Sequence, residues 1–319
     1  MEPVEFVIDT KGLSKTYNGV AALDSLNLQV PKNSIFGFLG PNGAGKTTAI
    51  KLLLGLTRPT SGGGAIFGQD IVEDSVEIRK HIGYLAQDPR FYEHMTARET
   101  LRFKARFYFR GPAREIEARI EVTLELVGLE DKADRPIKGF SGGERQRLGI
   151  AQAQINFPAL TILDEPAAAL DPMGRRDVLE VMQRIQKHAT IFYSTHILDD
   201  VQRVSDNVAI LNHGRLVAMA PIEELLAGSQ GTVYSLEIEG DAGPAEERVR
   251  SQEWVTDIEV VTADGETTWQ VAVTDDAAAK DQLLRLCLSD EQITVTHFGK
   301  KTYALEEIFI NIVEGADHG

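Results

Sequence analysis

A glycine-rich segment at residues 40–47 is the feature that most constrains what this chain can fold into. It reads GPNGAGKT and fits the pattern G-x-x-x-x-G-K-[ST]. The run Ile35–Leu39 before it is continuously apolar, like a strand buried on both faces, and residues 47–55 after it have the pattern of a helix that ends at Gly55. Strand, loop and helix in this order predict a phosphate-binding loop at the edge of a parallel sheet.

The residue types in this loop suit a nucleoside triphosphate held with Mg²⁺. Glycines let consecutive backbone N–H groups close around a β-phosphate, and the start of the helix adds partial positive charge. Lys46 is expected to reach the β and γ oxygens, and the Thr47 hydroxyl to ligate Mg²⁺. The predicted nucleotide-binding residues here are Gly40, Pro41, Asn42, Gly43, Ala44, Gly45, Lys46, Thr47 and Thr48.

Two carboxylates, Asp164 and Glu165, follow a second apolar strand at Leu160–Leu163. Open α/β sheets bind ligands at the carboxyl ends of their strands. Alone, this pair would be ordinary loop residues. With the phosphate loop, Asp164 is predicted to ligate Mg²⁺ and Glu165 to orient or deprotonate the water that attacks the γ-phosphate.

A third motif, FSGGERQR at residues 140–147, lies between the first two. A Ser followed by two glycines is also a plain helix start. With this motif, however, residues 5 to about 227 resemble the ATPases of ABC transporters. The resemblance implies that Ser141, Gly142, Gly143 and Glu144 contact the γ-phosphate held by an opposite subunit.

The same resemblance assigns roles to further positions by their order along the chain. Tyr17 would stack on adenine, Gln87 would sense Mg²⁺ and the membrane partner, and Asp171 would end the D-loop at residues 169–171. His196 would contact the γ-phosphate and act with Lys46 and Glu165 in catalysis. Thr47, Gln87 and Asp164 would ligate the metal. Residues 91–96 would line the groove for a helix of the membrane subunit.

Three positions depart from the family pattern without removing a group needed for hydrolysis. Phe140 replaces the usual Leu, Glu144 the common Gln, and Ala168 a small hydroxylic residue. Because a methyl group forms no hydrogen bond, we expect Ala168 to lack one hydrogen bond between subunits that the family pattern implies. Communication between paired sites is therefore expected to be looser than in relatives.

The predicted fold class is α/β, with a P-loop NTPase core of the ABC ATPase type at residues 5–227. The core would include an antiparallel β subdomain and a helical subdomain at about 88–155, where Leu101, Ile120 and Leu124 recur at helical spacing. Residues 228–319 read β-α-β-β-α-β with one helix added, and an Asp264–Gly265 turn lies between two strands. This order predicts a small ferredoxin-like α+β domain.

Charge also separates the two predicted domains. Residues 228–319 carry 19 acidic and 6 basic side chains, a net charge of −13, out of −15 for the whole chain. Phosphate backbones and anionic lipid would repel such a domain, which argues against nucleic acid as a partner. A surface that merely improves solubility is the alternative explanation. The segment ending YALEEIF at residues 303–309 resembles the extension of exporter ATPases for drugs, lipids, polysaccharides or antimicrobial peptides.

Composition limits the setting in which the chain works. Apolar residues make up 43% and charged residues 25%, as in globular proteins, and the single cysteine, Cys287, excludes an internal disulfide. The first residues lack a targeting pattern, and no apolar run approaches the about 18 residues of a membrane span. We expect a cytoplasmic protein on the inner face of the cell membrane, which touches the membrane only through a separate permease.

These features distinguish three classes of function: a transport ATPase, an ATPase that acts on ribosomes or DNA, and a regulatory nucleotide binder. A transport ATPase is the leading hypothesis, with the permease and a second ATPase subunit, identical or different, as partners. ATPases that act on ribosomes carry two cassettes, and those of DNA repair split the cassette, whereas only about 94 residues separate Lys46 from Ser141 here. A regulatory nucleotide binder is disfavoured because Lys46, Glu165 and His196 are all present. The transported substrate is not encoded in such a subunit.

Overall fold

The computed structural model describes residues 6–226, 232–240, 242–263, 266–289 and 293–300, with Leu305, Glu306 and Phe309. These residues form two compact units, and the first gives way to the second between Ile222 and Glu223. The predicted domain boundary at residues 227 and 228 lies outside the described residues. It stays a prediction, as do the predicted limits of the helical subdomain.

An antiparallel sheet opens the first unit. Its central strand is β1 (Phe6–Tyr17), which pairs with three neighbours. From Ile8 to Lys11, buried residues alternate with more exposed ones because one face of the strand covers the core. The other strands are β2 (Val20–Leu26), β3 (Gln29–Pro31), β5 (Ser61–Ile66) and β6 (Gln69–Asp70). The predicted antiparallel β subdomain is confirmed.

A six-stranded sheet forms the centre of the first unit. Its strands are β4 (Ile35–Leu39), β7 (Ile82–Leu85), β8 (Leu160–Asp164), β9 (Thr190–Thr195), β10 (Asn207–Asn212) and β11 (Arg215–Pro221). They lie in the order β11-β10-β4-β9-β8-β7, all parallel except the edge strand β11. Every residue of β4, β8 and β9 is buried, which explains the continuous apolar sequence of β4 and the mostly apolar sequences of β8 and β9.

The strand order decides which loops meet. β9 lies between β4 and β8, so that Leu39 pairs with Thr195 and Asp164 with Ser194. The segments that leave the carboxyl ends of these three strands therefore share one edge of the sheet. Helix α1 (Lys46–Leu53) follows β4 there and ends before Gly55, which has φ +62°, as the sequence predicted.

Helices lie between β7 and β8, as predicted, and several have clear end signals. α3 (Ala97–Ala105) begins with a capping box made by Thr96 and Glu99, and α4 (Ala113–Val127) ends at the left-handed Gly128. α5 (Gly142–Gln154) begins at Ser141. The remaining helices of this unit are α2 (Ser75–Lys80), α6 (Pro172–Gln186) and α7 (Leu198–Val204), and α8 (Ile222–Leu226) begins at the last residue before the division.

Between residues 232 and 300, the described part of the second unit forms one antiparallel sheet and two helices. Its elements are β12 (Thr232–Gly240), α9 (Gly243–Arg250), β13 (Val255–Ala263), β14 (Glu266–Val273), α10 (Asp276–Cys287) and β15 (Ile293–Lys300). The strand order β13-β14-β12-β15 is that of a ferredoxin-like fold, and Trp269, Leu236 and Leu283 are buried in its core. The Asp264–Gly265 turn and most of the predicted last helix lie outside the described residues.

Candidate active site

The phosphate loop requires glycine for both space and backbone conformation. Gly43 and Gly45 have φ +82° and +107°, a left-handed region that side chains disfavour. A Cβ on Gly45 would lie 2.5 Å from the carbonyl oxygen of Ala22, and one on Gly40 would lie 2.3 Å from that of Leu211. A Cβ on Gly43 would meet nothing, so the loop is open on that side. The loop therefore has room for a ligand next to its backbone.

The start of α1 offers donors to that open side. The first N–H groups of a helix have no partner within the helix, and no side chain caps α1 at Gly45. These N–H groups and the helix dipole together favour an anion. The backbone at the start of α1 therefore suits an anion, which agrees with the phosphate-binding role predicted for this loop.

Lys46 holds its ammonium group over the loop. Its side chain is buried, and Nζ donates to the carbonyl oxygens of Gly40 at 2.7 Å and Pro41 at 3.1 Å. Nζ also lies 3.3 Å from Oε1 of Glu165. The cation is therefore fixed between the loop and the carboxylate that the sequence assigned to catalysis.

Asp164 and Glu165 are held in place by a residue that the sequence analysis did not assign. The Ser194 hydroxyl donates to Oδ1 of Asp164 at 2.6 Å and accepts from the backbone N–H of Glu165 at 2.9 Å. The Thr47 hydroxyl lies 3.4 Å from the same Oδ1. A signal for Ser194 does exist in the sequence, since a hydroxyl residue stands near the carboxyl end of a buried strand, two positions before His196.

Glu165 adopts a strained backbone that turns its carboxylate into the site. Its φ is +50°, in the left-handed region where a non-glycine residue costs about 1–3 kcal/mol. Its Oε2 lies 2.8 Å from Nδ1 of His196, while Oε1 faces Lys46. The carboxylate thus links the predicted phosphate-binding lysine to the predicted γ-phosphate contact. Strain of this kind is typical of functional positions.

Replacing Ser194 with Ala removes the hydroxyl that hydrogen-bonds to the Asp164 carboxylate and to the backbone N–H of Glu165. We expect turnover to fall about tenfold to hundredfold, because hydrogen bonds to charged groups are worth about 1.5–3 kcal/mol. ATP binding should stay close to normal, since the phosphate loop is unchanged. Steady-state hydrolysis and nucleotide titration measure the two effects.

Ser205→Ala is the matched control for this experiment. Its hydroxyl lies 2.7 Å from the hydroxyl of Tyr193, next to Ser194 in sequence, and does not touch the carboxylates. Equal turnover losses in both variants would show a general effect on the strand rather than a specific effect on Asp164 and Glu165.

The FSGGERQR segment forms a second site with the D-loop. The Ser141 hydroxyl accepts from the N–H of Glu144 at 3.2 Å, and Oε2 of Glu144 accepts from the N–H of Ser141 at 2.7 Å. Lys132 Nζ donates to Oε1 of Glu144 at 2.5 Å. Although burial works to raise the pKa of Glu144, Lys132 and the Ser141 N–H outweigh it and the pKa is lowered. Glu144 therefore stays ionised at neutral pH and keeps the cap in place.

This second site is a half-open cavity of about 450 Å³. Its walls include Ser141, Gly142 and Gly143 on one side and Asp171 on the other. A Cβ on Gly143 would lie 3.1 Å from Cα of Gly174, so α5 and α6 begin in close contact. The Asp171 carboxylate caps α6 by accepting from the N–H of Gly174 at 3.0 Å.

The structure sorts the predicted site residues into two groups. Lys46, Thr47, Asp164, Glu165 and His196 are joined by direct contacts, whereas the residues around Ser141 line the separate cavity with Asp171. Tyr17 is exposed at the end of β1, and Gln87 is exposed after β7. No contact between described residues ties Tyr17 or Gln87 to either group, and their predicted roles stay predictions.

Within the residues that the structure describes, every helix falls short of the length and apolar character that crossing a membrane requires.

Comparisons with known proteins agree with this geometry. A profile of the ABC transporter family matches residues 23–168. The uncharacterized ABC transporter ATP-binding protein YxlF of Bacillus subtilis is 36% identical over 309 residues, covering 96% of this chain and 99% of that protein. The daunorubicin/doxorubicin resistance ATP-binding protein DrrA of Streptomyces peucetius is 34% identical over 305 residues, covering 95% of this chain and 91% of that protein.

A solved structure supports the same assignment. The cbiO1 protein of Clostridium perfringens, part of the ABC transporter complex cbiONQ, has a TM-score of 0.66 and 29% identity, covering 70% of this chain and 92% of that chain. Sequence identity above 30% along nearly the whole chain accompanies a phosphate loop joined to two carboxylates and a histidine. The chain therefore belongs to the ABC transporter family, as an ATP-binding subunit with ATPase activity.

Proposed function

We propose that this chain hydrolyses Mg-ATP at the phosphate loop and thereby powers export of a substrate through a separate membrane-spanning subunit. One observation carries the proposal: at the mouth of the loop, the Glu165 carboxylate contacts Lys46 through one oxygen and His196 through the other. Lys46 supplies a cation for phosphate oxygens, Glu165 supplies a carboxylate for the attacking water, and His196 lies next to that carboxylate. Together they form an arrangement suited to hydrolysis.

Nucleotide binding is assigned to the loop and to Tyr17. The loop N–H groups and Lys46 take the phosphates, and the Lys46 ammonium exchanges the carbonyl oxygens of Gly40 and Pro41 for phosphate oxygens. Tyr17 presents an exposed ring, with Lys15 Nζ 5.0 Å from its centroid, and stacks on adenine.

The donor set at the loop fits Mg²⁺. The Thr47 hydroxyl and the Asp164 carboxylate lie 3.4 Å apart, and both are the hard oxygen ligands that Mg²⁺ prefers. Gln87 would add an amide oxygen from the segment after β7. When bound, Mg²⁺ neutralises charge on the β and γ oxygens of ATP. Ser194 keeps Asp164 oriented toward Thr47.

Hydrolysis is assigned to Glu165 and His196. Glu165 accepts a proton from the attacking water, or orients that water in line with the γ-phosphate. His196 positions the Glu165 carboxylate through the 2.8 Å contact and faces the γ-phosphate. The left-handed backbone conformation of Glu165 positions its carboxylate for this proton transfer before ATP binds.

A complete site requires two ATPase subunits. The cavity that contains Ser141, Gly142, Gly143, Glu144 and Asp171 is lined by none of the residues that hold the phosphates. The start of α5 nonetheless offers N–H groups to an anion. It therefore caps the γ-phosphate of a second ATPase subunit, identical or different, with the nucleotide between the two.

The membrane-spanning subunit is the second partner. A groove of about 180 Å³ is lined by apolar and aromatic side chains such as Leu54, Leu56 and Tyr84, together with the polar side chains of Arg79, Lys104 and Gln152. We assign this groove as the place where a helix of that subunit packs. Residues 91–96 were predicted to line the groove for a helix of the membrane subunit, and that assignment stays a prediction. The chain would thus sit on the inner face of the cell membrane through the permease, without contacting lipid or nucleic acid.

The direction of transport rests on relatives. A protein named for daunorubicin and doxorubicin resistance covers nearly the whole chain, and removing a drug from the cell is one way to resist it. Two experiments test the proposal. The first is co-purification with the membrane subunit, and the second measures ATP-dependent uptake of the transported compound into inside-out vesicles. Uptake that requires Glu165 supports export, whereas uptake only into right-side-out vesicles contradicts it.

A shortened chain tests the proposed domain boundary. All assigned nucleotide residues precede residue 228, so a chain ending at Ala227 should bind Mg-ATP with the affinity of the full chain. Titration of a fluorescent ATP analogue measures the affinity, and circular dichroism checks the fold. A folded but non-binding product would show that the ATPase domain needs the acidic domain.

A further inference from the structure

A buried ion pair next to the active site has no role in the function proposed so far. Arg175 Nε donates to Oδ1 of Asp200 at 2.5 Å, and the Asp200 side chain is only 1% exposed. The neighbouring carboxylate, Asp199, is exposed and lies 3.8 Å from Arg175. Both carboxylates are within reach of the same guanidinium group, but only Asp200 is buried and at hydrogen-bond distance.

Both members of the pair stand four residues after an assigned site residue. Arg175 lies in the first turn of α6, which begins after Asp171 of the D-loop. Asp200 lies in the first turn of α7, which begins after His196. The ion pair thus ties the helix that follows the D-loop to the helix that follows the γ-phosphate histidine.

The pair is poorly suited to a purely stabilising role. Burial raises the pKa of Asp200, and the hydrogen bond and charge of Arg175 only partly oppose that rise. The second oxygen of Asp200, Oδ2, is buried and has no hydrogen-bond partner within the described residues. A buried ion pair with incomplete hydrogen bonding is a weak source of stability compared with apolar packing.

The two ends of the link face different ATP sites in the proposed dimer. The D-loop lines the cavity that receives the nucleotide of the other subunit, whereas His196 contacts Glu165 of the chain's own site. A shift of α6 when the other subunit docks would therefore reach α7 through Arg175 and Asp200. Packed helices linked in this way can carry coupling between sites.

From this geometry we infer that Arg175 and Asp200 are positioning residues, which set His196 according to whether the D-loop is engaged by the second subunit. This inference rests on the proposed function of the site. The ion pair replaces none of the catalytic groups. It makes the placement of His196 against Glu165 depend on the state of the neighbouring site.

The test uses a double variant that removes both charges without leaving one buried alone. Arg175→Gln or Asp200→Asn alone leaves an unpaired group, which can destabilise the fold. The double variant Arg175→Gln/Asp200→Asn should melt at the temperature of the unaltered protein and bind ATP with the same Kd. Its kcat should nevertheless fall about tenfold. Each single variant should lose at least as much kcat, so the effects would not add.

Two matched controls come from the same helices. Arg176 and Glu180 form an exposed ion pair one residue further along α6, and Arg176→Gln/Glu180→Gln should leave kcat unchanged. Asp199→Asn should also leave kcat unchanged.

Two results would separate this inference from the proposed function. A folded Arg175→Gln/Asp200→Asn variant with normal kcat, alongside an inactive Glu165→Gln variant, overturns the inference and leaves the site assignment standing. Normal turnover in Glu165→Gln would remove the site assignment itself. Additive losses in the two single variants would show that Arg175 and Asp200 act separately and would also overturn the inference.

Discussion

The Glu165→Gln variant should bind ATP with near-normal affinity and hydrolyse it about 10²–10⁴-fold more slowly. Gln keeps the volume of the side chain and a polar end group between Lys46 and His196, but it cannot accept the proton of the attacking water. The Ser194 hydroxyl still holds the backbone N–H at residue 165, so the strand end keeps its shape. Steady-state phosphate release and titration with a fluorescent ATP analogue measure the two quantities.

Lys46→Ala serves as the comparison, because here the loss should begin with nucleotide binding and not with the hydrolytic step. Removing the cation that sits over the loop should weaken nucleotide binding itself. Glu180→Gln, which breaks only the exposed pair with Arg176, is the control for loss of a carboxylate and should turn over normally. Near-normal hydrolysis by Glu165→Gln would remove this residue from the mechanism.

Mixing Lys46→Ala protomers with Ser141→Arg protomers should restore hydrolysis above that of either variant alone. The phosphate loop and the Ser141 cavity lie in different places on one chain, so each ATP would be held by the loop of one subunit and the Ser141 segment of the other. In a mixed dimer, one composite site carries both lesions and the other carries none. Each parent dimer has no intact site. Hydrolysis rates of the mixture across mixing ratios measure the recovery.

Dimer formation and folding need separate controls in this experiment. Ser141→Arg removes a helix cap, which costs about 0.5–2 kcal/mol, so its thermal stability must be compared with that of the unaltered protein. Mixed dimers are verified with two different tags. If verified mixed dimers show no recovery, the two sites are obligatorily coupled or the natural partner is a different ATPase chain. Adding unaltered protomers distinguishes these two cases, because only coupled sites of the same chain would be rescued.

The sequence by itself predicted most of the secondary structure, because local patterns carry that information. The strand Ile35–Leu39, the Ser141 helix start and, within the described residues 232–300, the strands and helices of the acidic unit lie where spacing and end signals indicated. Its ferredoxin-like order also follows from the order of elements. The positions of Tyr17 and Gln87 could be found by resemblance, but what they contact in the bound state could not.

The sequence alone determined the phosphate loop, since glycine spacing, Lys46 and a buried strand are local properties of one segment. Only the tertiary structure decided which distant residues complete the site. Thr47 and Asp164 are 117 positions apart and meet because β9 lies between β4 and β8. The same strand order brings Ser194 to both carboxylates. Periodicity encodes burial and backbone conformation but not the order of strands in a sheet, and contacts across the sheet depend on that order.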